Sequence, residues 1–191
     1  GAGYDTIDVE ACTDAGVLVV NQTGGNAEGV AEHAVGMILN LFKRIGECDH
    51  ALRRGWNEPR VSLMGKDLLN KNVGIIGLGN TGGRVAEICK VAFNCNILAY
   101  DPYLSDEAFK KKNANKTELD ILLAESDVVS VHIPLNKETN NMINKNWFKK
   151  MKKGSYFVTT SRGSIHNEDD LYNTLTEGHL AGAGLDVWEF E

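Results

Sequence analysis

The chain has 191 residues, 42% of them hydrophobic and 24% charged, which is enough apolar material for one sizeable core and too much for an intrinsically disordered segment. Its net charge of −6 argues against the broad positive field that gathers nucleic acid, and no run approaches the roughly 18 uncharged apolar residues of a membrane span. Cys12, Cys48, Cys89 and Cys95 form neither a C-x-x-C pair nor a disulfide framework, so reduced thiols, no metal site and a cytoplasmic setting are expected.

In chain order, residues 8–14 read as a short helix, and Val17-Leu18-Val19-Val20 reads as a buried strand bounded by Gly16 and Asn21. From Asn26 to Arg54 the residues Val30, Ala34, Val35, Ile38, Leu41, Phe42, Ile45 and Leu52 keep helical spacing, predicting one long helix over 26–54 with Asn26 as N-cap and Gly55 as its stop. After a loop around 56–65, short strands that are apolar on both faces alternate with helices, as in a buried parallel sheet. Strands are predicted at 73–76, 97–100, 128–131, 156–159 and 183–185, and helices near 81–93, 117–125, 144–151 and 167–177. Two basic runs, 110–112 and 149–153 (interrupted by Met151), read as solvated helix ends that complement the helix dipole.

Gly77-Leu78-Gly79-Asn80-Thr81-Gly82 is a G-x-G-x-x-G loop that follows the strand ending at Ile76 and opens a helix with Val85, Ile88 and Cys89 on its apolar face. Gly77 permits the tight turn, Gly79 lets a pyrophosphate approach the backbone, and Gly82 lets helix and strand pack closely, while free N–H groups at the helix start face the anion. Asp101, about 20 residues beyond Gly82, ends the next strand, where a carboxylate accepts hydrogen bonds from an adenosine ribose and repels a 2′-phosphate. NAD is therefore expected over NADP.

These residues resemble the D-isomer-specific 2-hydroxyacid dehydrogenases over the whole chain. The likeness is carried by Gly1-Ala2-Gly3-Tyr4-Asp5 with Ile7-Asp8, Asn26 with Val30-Ala31-Glu32, Leu52-Arg53-Arg54-Gly55 and the glycine loop. It continues in Asp101-Pro102-Tyr103, His132-Ile133-Pro134-Leu135, Met151-Lys152-Lys153-Gly154, Ser161-Arg162-Gly163 and Gly182-Ala183-Gly184-Leu185-Asp186-Val187. The resemblance implies a doubly wound parallel α/β sheet of the Rossmann type. It makes residues 1–22 a remnant of a substrate domain and 23–191 an NAD-binding domain, cut from a longer protein on both sides. It also implies a homodimer built through the long helix over 26–54.

The implied reaction passes a hydride between NAD and a small 2-hydroxy or 2-keto acid. Negative charge then develops on the keto oxygen, so the site needs a cation and a proton donor. Arg162, following a strand on the glycine-loop side of the sheet, is the candidate cation, although it could instead cap nearby carbonyls. The resemblance places the histidine-pairing glutamate at Glu191, with Glu189 as a rival, and puts the catalytic histidine beyond that glutamate, outside these residues. The chain alone is accordingly expected to be inactive. His166 is read as structural, while His33, His50 and His179 have weaker claims still.

On the cofactor side the resemblance assigns contacts to Gly77, Gly79, Asn80, Thr81, Gly82, Asp101 and Pro102. It adds His132 through its backbone, Pro134 beside the adenine, Thr160 and Ser161 near the nicotinamide, and Asp186 as acceptor for the carboxamide. An NAD-sensing corepressor-like interaction protein of the same family is the alternative. A formate-type member is disfavoured, because that branch replaces the glutamate at position 191. The particular substrate is not legible.

Overall fold

Six short strands run parallel through the middle of the molecule: β1 (Asn72–Ile76), β2 (Asn96–Tyr100), β3 (Asn115–Lys116), β4 (Val128–Val131), β5 (Tyr156–Thr159) and β6 (Gly182–Leu185). They are ordered β3-β2-β1-β4-β5-β6 in a computed structural model that describes residues 3–57 and 59–190. Every residue of β4 and β5 is buried, as their unbroken apolar sequence requires of strands covered on both faces.

Alternation along each strand divides the core. Val73 and Ile75 face the layer that holds α2 (Ala27–Lys43) and α4 (Asn80–Phe93), packing with Ile38, Phe42, Val85 and Ala86. Ile76, Val129, Val131 and Phe157 face the opposite layer of α6 (Leu119–Glu125), α7 (Lys145–Lys150) and α8 (Glu168–Thr176), with Leu122, Leu123, Phe148 and Leu171. The remaining helices are α1 (Val9–Asp14), α3 (Ile45–Arg53) and α5 (Asp106–Lys111). The doubly wound α/β expectation holds. Lys110 and Lys111 close α5, and Lys149 and Lys150 close α7, as helix ends that suit the dipole. The four cysteines are free thiols, and among the described residues no helix is long and apolar enough to cross a membrane.

Three sequence expectations require correction. The helix over 26–54 is two helices, because Arg44 takes the left-handed conformation (φ 54°) between α2 and α3. A non-glycine residue pays about 1–2 kcal/mol for that geometry. Here the guanidinium holds it by pairing with Glu47 and donating to the Ser62 carbonyl at 2.6 Å. The break turns α3 away from the sheet, so Ile45 and Leu52, which the sequence places on the buried stripe, are 57% and 63% exposed. Asn26 does precede α2, but its side chain makes no cap hydrogen bond.

Residues 17–20 form no strand, and Leu18 and Val20 are 85% and 78% exposed. An apolar run becomes a buried strand only where a sheet edge accepts its backbone, and the six-stranded sheet ends at β3 and β6 without it. The third correction is an omission: α5 and the two-residue β3 stand between β2 and α6, where no element is predicted. Only Phe109 of α5 is buried and both residues of β3 are exposed, so hydrophobic periodicity carries almost no signal there.

Candidate active site and cofactor cleft

The strand order reverses between β1 and β4. The chain leaves the two strands toward opposite layers, and a crevice opens at their carboxyl ends. A cleft of about 730 Å³ lies there, walled by Asn80 and Thr81 at the start of α4, by residues 132–135 after β4, by residues 160–162 after β5, and by Gly3, Tyr4 and Asp5 from the N-terminal segment.

The glycine loop has the shape a pyrophosphate needs. Gly77 sits at φ +86°, and a Cβ there would lie 2.7 Å from the His132 carbonyl oxygen. A Cβ on Gly82 would lie 2.0 Å from the Gly77 oxygen, so the start of α4 presses directly on the turn. Gly79 is the N-cap of α4 and has nothing within 4 Å of where a Cβ would stand. It also offers no side chain to the first-turn N–H groups, which therefore face open space as an anion site. Lys112 adds a cation beside this loop, its ammonium donating to the Gly79 carbonyl at 3.2 Å.

Asp101 is placed at the end of β2 as expected, with a contact the sequence did not announce. Its Oδ2 accepts the Leu78 N–H at 3.0 Å and its Oδ1 the Tyr103 N–H at 3.1 Å, so the carboxylate ties the glycine loop down. Each oxygen keeps a further acceptor site, which suits two ribose hydroxyls. Pro102 is exposed beside it. Pro134 lines the cleft and its carbonyl accepts the Thr139 hydroxyl at 2.7 Å.

At the other end, the Ser161 hydroxyl donates to the Val131 carbonyl at 2.9 Å and pins the loop after β5 to β4. The His132 ring, rather than only its backbone, takes part: Nε2 lies 2.8 Å from Ser130 Oγ and Nδ1 3.3 Å from Thr160 Oγ1. Burial pushes its pKa down to about 4, so the imidazole is neutral at physiological pH and acts as a brace between β4 and the Thr160 loop.

Arg162 faces this cleft, and its partner is Asp5. Arg162 Nε and Nη2 reach the Asp5 carboxylate at 3.1–3.2 Å, while Nη1 donates to the Ser161 carbonyl at 2.7 Å. Hydrogen bonding from the guanidinium holds the Asp5 carboxyl below its ordinary pKa. Sequence reasoning quoted Asp5 only inside a motif. The two residues are 157 positions apart, and no local pattern pairs them.

Gly163 carries a second unforeseen constraint. A Cβ there would overlap the Trp188 carbonyl at 1.8 Å, so the segment of Trp188 and Glu189 lies directly on the arginine loop. Glu189 is exposed, with its N–H bonded to Glu168 at 2.7 Å, and Glu191 lies outside the described residues. His166 is 2% exposed and packs 5.8 Å from the Phe157 ring, away from the cleft lining. That placement fits the structural reading. Asp186 stands at the rim beyond β6, where His33 Nε2 meets its Oδ1 at 3.2 Å.

Residues 35–191 match the family model for the D-isomer specific 2-hydroxyacid dehydrogenase, NAD binding domain. The chain is 43% identical over its full length to the D-3-phosphoglycerate dehydrogenase of Archaeoglobus fulgidus and 39% identical to the hydroxypyruvate reductase of Thermotoga maritima. It spans 36% of the former and 61% of the latter. Among solved structures, the D-lactate dehydrogenase of Aquifex aeolicus, complexed with NAD and lactic acid, superposes with a TM-score of 0.90 at 37% identity. The alignment covers 100% of this chain and 56% of that one.

Proposed function

The chain belongs to the D-isomer-specific 2-hydroxyacid dehydrogenases, and from that membership we propose that it is the NAD-binding part of an enzyme moving a hydride between NAD and a small D-2-hydroxy or 2-keto acid. The observation that carries this reading is the placement of the open glycine loop, Asp101 and Arg162 along one rim of one sheet. NAD, when bound, supplies the hydride acceptor or donor. Arg162 draws the substrate carboxylate and carbonyl toward the nicotinamide end through its planar fork, and stabilises the charge that gathers on the keto oxygen. Ser161 and the neutral His132 keep that loop from drifting. Glu191 is the proposed partner of a histidine supplied from beyond these residues. The relatives matched are named for dehydrogenase and reductase activities, which favours this reading over a purely NAD-sensing interaction protein.

Residues 1–22 are read as belonging with a substrate domain, which the exposure of Tyr4, Ile7, Val17, Leu18 and Val20 supports. Free thiols suit a reducing, cytoplasmic setting. A homodimer is proposed through α3 and the 3-10 turn over Arg60–Leu63, because Ile45, Leu52, Val61 and Met64 are all more than half exposed there. Sedimentation checks it: Leu52→Glu gives a monomer where the parent protein is a dimer, and a dimer unchanged by the substitution moves the interface elsewhere.

Asp101 decides the cofactor. The protein is expected to bind NADH in preference to NADPH, and Asp101→Ala to narrow that preference by about tenfold or more, weakening NADH while removing the repulsion of the 2′-phosphate. Calorimetric titration of both cofactors against both proteins settles the point. Tighter binding of NADPH by the parent protein would contradict the assignment.

A further inference from the structure

We infer that His33, on α2, is a positioning residue that aims the Asp186 carboxylate at the nicotinamide carboxamide. The inference rests on the NAD-binding reading and extends it to a residue that no motif marks.

The argument begins with how α2 lies on β6. A Cβ on Gly182 would meet Leu41 Cδ2 at 3.1 Å, and one on Gly184 would meet Met37 Cβ at 3.0 Å and Sδ at 3.2 Å. The third contact in the series is His33 Nε2 to Asp186 Oδ1 at 3.2 Å. Helix positions fall by four as strand positions rise by two, so the helix runs antiparallel along one face of the strand. Four helical residues rise about 6 Å and two strand residues about 6.6 Å, so the two ladders stay in step over the whole contact. The two glycines set the approach distance, and that distance brings an imidazole of half-exposed His33 within hydrogen-bond reach of the carboxylate.

Asp186 needs such a partner. Its main chain is fixed, since its N–H donates to the Thr159 carbonyl at 3.1 Å and Val187 is buried behind it. The carboxylate is still free to rotate about two side-chain bonds and is 46% exposed. The contact of His33 Nε2 with Oδ1 restrains that rotation and leaves Oδ2 with unused acceptor capacity. A carboxamide N–H is the donor this geometry awaits. Holding it also fixes which face of the nicotinamide ring meets the substrate.

The test compares NAD with ADP-ribose, which carries the same adenosine and pyrophosphate but no nicotinamide. His33→Ala is expected to weaken NAD about 5- to 10-fold and to leave ADP-ribose within about twofold, and His33→Gln, which keeps a donor at similar reach, to recover most of the loss. An Ala variant that binds NAD as the parent does, a parallel loss for both ligands, or a Gln variant no better than Ala would each overturn the inference while leaving NAD binding itself intact. Failure of the parent protein to bind ADP-ribose would instead refute the NAD-binding reading, and the inference with it.

Discussion

Replacing Arg162 with alanine in the active protein is expected to lower kcat/KM by 10² to 10³ or more while leaving the NADH dissociation constant within about twofold. The guanidinium is held by Asp5 and the Ser161 carbonyl, whereas in the proposed mode of NAD binding the pyrophosphate meets the open first turn of α4. Its loss therefore falls on the substrate and the transition state. Removing one preorganised donor to a developing oxyanion costs about 10² to 10³ by itself. Asp5 adds to this, because without Arg162 its carboxylate faces the cleft unneutralised and repels a substrate carboxylate. Arg162→Lys restores a charge but not the fork that spans Asp5 and substrate together, so it should recover only part of the activity. Steady-state kinetics with saturating NADH, alongside fluorescence titration of NADH, separates the two effects. A tenfold loss of NADH affinity with unchanged turnover would make Arg162 a cofactor ligand and reverse its assignment.

Gly82→Ala is expected to cost stability and cofactor binding together. The new methyl would lie 2.0 Å from the Gly77 carbonyl oxygen and 3.1 Å from the Ile75 side chain, and the first of these is backbone that cannot swing aside. The start of α4 must lift from the turn, an overpacking strain of about 3 kcal/mol, which for a chain of this size lowers Tm by roughly 6–12 °C. The lifted helix also withdraws its N–H groups from the pyrophosphate, and losing two charge-assisted hydrogen bonds weakens NAD on the order of 10². Gly79→Ala supplies the contrast. Nothing stands within 4 Å of its Cβ, so the fold should keep its Tm, yet the methyl occupies the space the phosphate enters and NAD binding should still fall. Thermal melting and calorimetry on both variants check the pair. A Gly82→Ala protein with parental Tm would mean that helix and turn do not touch as described.

Local chemistry is what the sequence could declare. The glycine loop, the strands β1, β2, β4, β5 and β6 and the acid at Asp101 were legible because each signal is contained within a few residues: a turn that only glycine makes, an apolar run, a carboxylate at a strand end. The place of Arg162 on the cofactor rim followed from the same logic. The helix over 26–54 misled because periodicity continues through Arg44, while the break depends on that residue's bonds to Glu47 and Ser62. Residues 17–20 misled for a related reason, since an apolar run states what it would bury but not whether a sheet edge is there to take it. The pairs that complete the site belonged to the tertiary structure alone. Asp5 meets Arg162, Asp101 meets Leu78, His132 meets Thr160 and His33 meets Asp186, each across separate elements. Such contacts are set by strand order and by how closely a helix can approach a glycine-bearing strand, and those distances arise only when the layers have packed.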